Sequence, residues 1–384
     1  MKICIVATDY PDSKRSTQEF VKQVVVEWAD KGHECLVIAP FHKADNKGLP
    51  WRRREIQTTE AGNAVTIIRP RYNATTKFLI GKFNLHYVMH GMAVLRGLLS
   101  MRFKPDIIYC HFWSNALEAY PYARLKRLPL FVASGEGIVP QKYQDKRFKK
   151  FFDYVQGTIC VSQKTLKENL DYGMTTQEKS SVIPNAANPK MFHPIDRLDC
   201  RKRLGFPTDA FITIYVGDFG ERKGVLRVSE AIKQAKGEPI YSIFIGKGEL
   251  HPDCPNILHC GPVKHELLPI YLNAANCFVL PTLNEGCCNA IVEALACGLP
   301  VISADAMYNY DILSADNSIM IDPNSVEQIR AALEKIRDEQ EARQKMAEAA
   351  IDSAKDLTID VRAERIVTFI LSKLHKPGRK HEEQ

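Results

Sequence analysis

The sequence predicts an α/β protein made of two doubly wound parallel-sheet domains in series, and three observations carry that reading. Short apolar runs rich in β-branched residues alternate with amphipathic stretches that stop at glycine. The alternation restarts past the midpoint, after a segment framed by two prolines. The chain has 384 residues, beyond the roughly 250–300 at which a single core stops growing.

The first run, Ile3–Ala7, leads through a polar loop to an amphipathic stretch, Phe20–Asp30, that stops at Gly32; Cys35–Ala39 follows. Strand, helix, glycine stop and strand make a βαβ unit, whose strands are buried on both faces. Further buried strands are expected at Val65–Arg69, Ile107–Cys110, Leu130–Ala133, Thr158–Val161 and Val182–Ile183. Pro184–Pro189, two prolines around asparagines and alanines, reads as the linker. The second set of strands is expected at Phe211–Val216, Tyr241–Ile245, Ile257–His259, Cys277–Leu280, Val301–Ser303 and Ile319–Ile321. Val326, Ile329, Leu333 and Ile336 recur near the helical period, so a long polar helix is expected over about Val326–Lys355. An amphipathic helix, about Ile359–Leu374, follows it, and the charged tail from Lys376 to Gln384 is expected to fray. The domains are accordingly placed at 1–187 and 188–357, with a terminal helix at 358–375 and a tail at 376–384.

Composition narrows the function classes. Hydrophobic residues at 45% and charged residues at 25% are those of an ordinary globular protein. The net charge of +7 fits either a slightly basic enzyme or a basic face for anionic substrates or a membrane surface. No nucleic-acid recognition motif accompanies it, so nucleic acid is not expected as a partner. The eleven cysteines fall largely inside apolar runs, as at Cys4, Cys35, Cys110, Cys160 and Cys277, with no metal-ligand spacing. Unbridged thiols in that number point to a reducing cytoplasm. Met1–Ala7 is too short for a signal sequence, and no run of about 18 apolar residues spans a membrane.

The most specific stretch runs from Pro281 to Val301, PTLNEGCCNAIVEALACGLPV, and reads as strand end, loop, helix, glycine stop and next strand. Seven residues separate Glu285, in the loop, from Glu293, about one turn into the helix. Backbone N–H groups near Cys288, Asn289 and Ala290 stand at the helix entrance, where the helix dipole favours an anion. Carboxylates beside a bound diphosphate suit recognition of hydroxyls, since an ionised carboxylate only accepts hydrogen bonds. Taken singly, either glutamate reads more readily as a solvated surface residue; the ordered string does not.

This stretch closely resembles the E-x7-E signature of family 4 retaining glycosyltransferases of the GT-B fold, and the element order resembles that fold over nearly the whole chain. The resemblance implies two Rossmann-like domains facing a central cleft, an acceptor side first and a nucleotide-sugar donor side second, with the terminal helix packing back on the first domain. It implies that Glu293 binds donor ribose hydroxyls and that Glu285 holds hydroxyls of the transferred sugar. Gly286 and the N–H groups at Cys288, Asn289 and Ala290 would then meet the sugar and the diphosphate.

A second patch, Gly217-Asp218-Phe219-Gly220-Glu221-Arg222-Lys223-Gly224, follows the first strand of the second half. Arginine and lysine beside a glycine turn can neutralise a diphosphate without a metal; alone, the patch also reads as a basic surface turn. Lys223-Gly224 matches the family pattern. Asp218 stands where the family often carries an arginine, which assigns that charge to Arg222. Gly246-Lys247-Gly248-Glu249 and Gly261-Pro262-Val263 are weaker echoes, and the resemblance places Val263 near the nucleotide base.

On the acceptor side, His111 ends the strand Ile107–Cys110. By itself it reads as a satisfied near-surface histidine or as a hydrogen-bond partner for a sugar; the resemblance favours the second and puts His111, with Glu285, at the reacting centre. Glu136 either binds an acceptor hydroxyl or caps the helix that follows. The loop Asp9–Glu19 departs from the family, whose relatives often place a glycine pair there; Ser16 and Thr17 offer hydroxyls instead. Two stretches, Lys77–Phe83 and Lys146–Phe152, mix basic and bulky apolar residues, and read either as half-buried helices or as peripheral contacts with an anionic membrane.

The expected reaction transfers a sugar from a nucleotide-diphosphate-sugar to a hydroxyl of a saccharide or lipid-linked saccharide, with retention and without metal or other cofactor. Two other readings stay open from the residues alone, a nucleotide-sugar 2-epimerase and a non-catalytic nucleotide-sugar-binding subunit. A dinucleotide dehydrogenase is disfavoured, because no G-x-G-x-x-G follows the first strand.

Overall fold

The computed structural model describes residues 1–11, 18–43, 46, 51–73, 79–80 and 83–374. Ser16, Thr17, most of the Lys77–Phe83 stretch and the tail from His375 lie outside the described residues. The chain forms two compact units. One holds Met1–Val161, Thr165–Ile183 and the chain from Arg362; the other holds Ser162–Lys164 and Pro184–Val361.

The first unit is built on an eight-stranded sheet. Its strands in chain order are β1 (Lys2–Val6), β2 (Glu34–Ile38), β3 (Arg54–Thr58), β4 (Ala64–Ile68), β5 (Ile107–His111), β6 (Leu130–Ser134), β7 (Gly157–Cys160) and β8 (Ser180–Val182). Across the sheet they run β8-β7-β6-β5-β1-β2-β4-β3. Ile3, Cys4, Ile5 and Val6 of the central β1 are wholly buried, as the continuous apolar run requires when helices cover both faces. Cys4 lies beside Leu36 on one flank and Ile108 on the other, which aligns the buried rows of three strands. Trp113, Val132 and Phe152 complete that core.

One strand corrects the all-parallel expectation. β3 pairs antiparallel with β4, Arg54 opposite Ile68 and Ile56 opposite Thr66. Its sequence, REIQT, has a single aliphatic residue, and that residue, Ile56, is 65% exposed. An edge strand with so little to bury carries no apolar run to read.

The second unit has a six-stranded parallel sheet. Its strands are β9 (Phe211–Val216), β10 (Ile240–Ile245), β11 (Ile257–Gly261), β12 (Cys277–Leu280), β13 (Val301–Ala304) and β14 (Ser318–Ile321), in the order β11-β10-β9-β12-β13-β14. Placing β9 beside β12 brings the turn after Val216 next to the loop after Leu280, although some sixty residues separate them.

The helix expected over Val326–Lys355 is two helices, Val326–Asp338 and Gln340–Ala354, parted at Glu339 with φ −98° and ψ 78°. Arg343 closes the first by donating to the carbonyls of Ile336 and Arg337, at 2.6 and 2.8 Å. Such a bond satisfies acceptors that a helix end leaves without a partner. The terminal helix, Ile359–Leu374, packs from Arg362 onward on the first unit: Trp28 Nε1 donates to the Ala363 carbonyl at 3.0 Å, and Arg362 donates to the Ile183 carbonyl at 2.6 Å.

Candidate active site

Two loops of the second unit converge in a polar cluster. The chain leaves β9 at Gly217, passes a single turn at Glu221–Lys223 and enters a helix, Val225–Gln234, through Gly224. Gly224 has φ 79°, and a Cβ there would stand 2.8 Å from the Pro281 carbonyl oxygen, so only glycine lets the two loops meet. The contact is continued by the Leu283 N–H, which donates to the Arg222 carbonyl at 2.8 Å. Behind it, the Gly246–Gly248 turn lies on the same loop, with Phe219 N–H donating to the Lys247 carbonyl at 2.9 Å.

Glu285 sits where the loops converge. Its Oε1 receives Lys223 Nζ at 2.6 Å, Arg222 Nη1 at 2.7 Å and the Thr282 hydroxyl at 2.8 Å. Arg222 also donates to the Asn284 carbonyl at 2.7 Å. Asp218 is exposed, and Arg222 is the arginine of this patch that reaches Glu285. The two cations differ in setting: the Arg222 side chain is 49% exposed and that of Lys223 only 12%. Burial pulls the Lys223 ammonium down, but the Cys288 sulfur and the Glu285 carboxylate outweigh it and hold the group above the ordinary lysine range.

The helix Asn289–Ala296 starts at this point, with Cys288 as its extended N-cap. Cys288 Sγ is 3.9 Å from Lys223 Nζ. Burial pushes its thiol above the usual cysteine range, against the pull of the Lys223 ammonium and the N–H groups of Ile291 and Ala290. Gly286 and Cys288 are buried, while Asn289 and Ala290 are half-buried. One turn along the helix, Glu293 Oε1 meets His265 Nε2 at 3.3 Å, and the His265 ring stands edge-on to Phe192. Val263 lies two residues before His265 in the turn after β11. Among the described residues, no three His, Cys, Asp or Glu side chains are grouped to hold a metal ion.

The first unit carries the other sequence candidates. His111, at the end of β5, is 3% exposed and packs edge-on against Phe20 and Tyr109. Burial first, and the Arg362 guanidinium second, lower its pKa to about 3, so the imidazole is neutral. Its Nε2 has no hydrogen-bond partner among the described residues. The next residue, Phe112, holds φ 70° and ψ 149°, backbone that glycine alone adopts without strain.

Glu136 corrects one expectation. It caps the helix Trp113–Lys126, which precedes it in the chain, and not the segment that follows. Oε1 accepts the Trp113 backbone N–H at 2.8 Å and Oε2 accepts the Ser134 hydroxyl at 3.0 Å. Asn169 donates to Ser134 Oγ at 3.0 Å and accepts Trp113 Nε1–H at 2.6 Å, so the network closes on the residue where it began. In Lys146–Phe152, Phe151 and Phe152 turn inward onto Trp113, while Lys146, Arg147, Lys149 and Lys150 are exposed.

Comparison with known proteins decides what this arrangement belongs to. Residues 17–190 match the family described as Glycosyltransferase Family 4, and residues 196–353 match Glycosyl transferases group 1. The chain belongs to the family 4 glycosyltransferases. It is 27% identical over 356 residues to the putative teichuronic acid biosynthesis glycosyltransferase TuaC of Bacillus subtilis, covering 88% of this chain and 90% of that one. It is also 27% identical over 294 residues to the UDP-Gal:alpha-D-GlcNAc-diphosphoundecaprenol alpha-1,3-galactosyltransferase of Escherichia coli, covering 67% of this chain and 76% of that one. Among solved structures, sucrose-phosphate synthase from Thermosynechococcus elongatus superposes with a TM-score of 0.77 at 16% identity, over 97% of this chain and 99% of that one. Anabaena HepE in complex with UDP and glucose gives 0.72 at 15% identity, over 97% and 100%. The fold is GT-B.

The activity of this glycosyltransferase is sugar transfer. Its cluster contains residues the sequence did not single out. Thr282 is wholly buried and supplies the third donor to Glu285. Tyr308 anchors the same loop by donating to the Thr282 carbonyl at 2.7 Å. Thr282 stood inside the motif string, three residues from Glu285, and was legible there. Tyr308 and His265 lie in sequence stretches with no distinguishing pattern, and only the fold brings them in. In the glycosyltransferase no helix among the described residues is long and apolar enough to cross a membrane. Of the eleven cysteines, Cys260 alone is exposed.

Proposed function

We propose that the glycosyltransferase moves a sugar from a nucleoside-diphosphate sugar to a hydroxyl of a saccharide or lipid-linked saccharide, with retention of anomeric configuration. The observation that carries this reading is the convergence of Arg222, Lys223 and Thr282 on one oxygen of Glu285 beside the entrance of Asn289–Ala296. With Oε1 held by three donors, Oε2 is the atom that accepts a hydroxyl of the transferred sugar. Glu293, on the same helix, accepts from the donor ribose, and His265 orients its carboxylate.

In the reaction the acceptor oxygen attacks the anomeric carbon from the face the leaving group departs. The bond from that carbon to the diphosphate breaks, and the departing phosphate oxygen takes the acceptor's proton. Arg222, Lys223 and the helix N–H groups stabilise the charge that develops, so the reaction needs no metal. Neutral His111 serves as a hydrogen-bonding group and not as an acid. The names of the relatives support the substrate classes: HepE was crystallised with UDP and glucose, and the E. coli relative acts on a diphosphoundecaprenol-linked sugar. Surface polysaccharide or glycolipid assembly on the inner face of a membrane fits these classes. The exposed cations around Lys146–Lys150 are the residues for a peripheral, purely electrostatic contact there, since Phe151 and Phe152 are spent on the core.

The test is release of nucleoside diphosphate from a panel of nucleotide sugars, with and without EDTA, in wild type, Glu293→Ala and Lys223→Ala. EDTA-resistant turnover of one donor, lost in both variants, supports the proposal; no turnover or binding of any donor, or variants equal to wild type, overturns it.

A further inference from the structure

We propose that the first unit carries a second ligand groove, separate from the transfer site, that binds an anionic amphiphile: a phosphate or carboxylate borne on a hydrocarbon chain. The groove has a volume of about 410 Å³ and lies between the β4–β3 edge of the sheet and the turn that follows the helix Leu85–Ser100. Its floor is apolar, formed by Leu36, Ile68 and Phe103, and its rim carries Arg53, Arg54 and Arg102.

The antiparallel edge strand explains how this surface arises. Residues directly opposite in paired strands share a face, so Arg54 with Ile68, and Ile56 with Thr66, point to the same side. Ile56 is 65% exposed there, so apolar surface continues past the end of the helical cover. Glu55, the next residue along the strand, points to the opposite face, where it holds Arg69 at 2.8 Å. The alternation that brings Arg54 to the groove therefore takes the nearest carboxylate away from it.

Charge then selects the ligand. No Asp or Glu lines the groove. Among the described residues none of Arg53, Arg54 and Arg102 has an ion-pair partner, whereas Arg69 and Arg227 are both paired. The guanidinium groups of Arg54 and Arg102 beside a low-dielectric floor repel one another until an anion is supplied, and their planar donors match phosphate or carboxylate oxygens. An inorganic anion would leave the floor unused, and a neutral chain would leave the arginines unpaired. Only a ligand with both parts satisfies the whole surface.

The experiment titrates the full chain with octyl phosphate below its micelle concentration, and separately with inorganic phosphate and octanol, by calorimetry. Octyl phosphate is expected to bind at least about tenfold more tightly than either fragment, and more weakly as salt is raised. The double substitution Arg54→Gln and Arg102→Gln should remove that advantage with circular dichroism unchanged. Thr66→Phe fills the groove while keeping Arg54 and Arg102, and should also weaken binding. Octyl phosphate binding no better than inorganic phosphate, or no better than octanol, overturns the proposal. So does binding that survives in either variant.

Discussion

Lys223 Nζ stands 2.6 Å from Oε1 of Glu285, in a pocket where both side chains are nearly nine-tenths buried. The carboxylate that this site would use to hold a sugar hydroxyl therefore also neutralises the cation it would use to hold a diphosphate. The two tasks compete, and that competition gives the first prediction.

Glu285→Gln should uncouple them. The amide keeps the shape but frees the positive charge of Lys223 and Arg222, so bare nucleoside diphosphate should bind roughly tenfold more tightly. Turnover should fall by about a hundredfold, because the sugar loses its fixed orientation. Calorimetry with nucleoside diphosphate and a steady-state assay check the two signs separately. Weaker binding of the diphosphate in this variant contradicts the competition.

Lys223→Ala should harm turnover more than Arg222→Ala. Both would face the leaving group, but Lys223 is 12% exposed and Arg222 is 49% exposed, and a charge in a drier setting stabilises a neighbouring anion more strongly. The expected loss in kcat is about 10²–10³-fold for Lys223 and less for Arg222. Since Lys223 is held above the ordinary lysine range, it stays charged across the neutral range. The alkaline limb of the kcat profile up to about pH 9 should then be indifferent to it.

His111 should make the folded state sensitive to acid. Its pKa is about 3 in the folded protein against an ordinary 6.5, so the unfolded chain binds the extra proton. Stability is fully present above pH 6.5 and falls as pH drops from there towards 3, by about 1.4 kcal/mol per pH unit at most. Denaturant unfolding at pH 7 and pH 5 should show wild type losing roughly 2 kcal/mol more than His111→Gln. Equal losses would mean that His111 takes up its proton without leaving its buried position.

Glu136→Ala should cost about 1–3 kcal/mol of unfolding free energy, the range for a lost helix cap that also strands a buried donor. The reason is the closed network through Ser134 and Asn169, which loses two of its bonds at once. A variant that unfolds like wild type but loses acceptor affinity would move Glu136 from the helix cap to the acceptor site.

The sequence by itself determined the two sheets and the succession of their buried strands along the chain. β-branched runs, glycine stops and the 3.6-residue period are local properties, and burial on both faces leaves a continuous apolar run that survives in the chain as written. It also determined the ordered string from Pro281 to Val301, because a loop carboxylate, a helix entrance and a second carboxylate one turn later are fixed by short spacings. Tertiary structure alone decided which groups meet. Arg222 reaches Glu285 across sixty-three positions because β9 lies beside β12, and no periodicity in either segment encodes that neighbour. The same holds for His265 on Glu293, for Tyr308 on Thr282, and for Glu136 closing a helix that begins twenty-three residues before it. The edge strand Arg54–Thr58 and the break at Glu339 were hidden for a related reason. One buries too little to show a pattern, and the other depends on Arg343 capping carbonyls from the next helix.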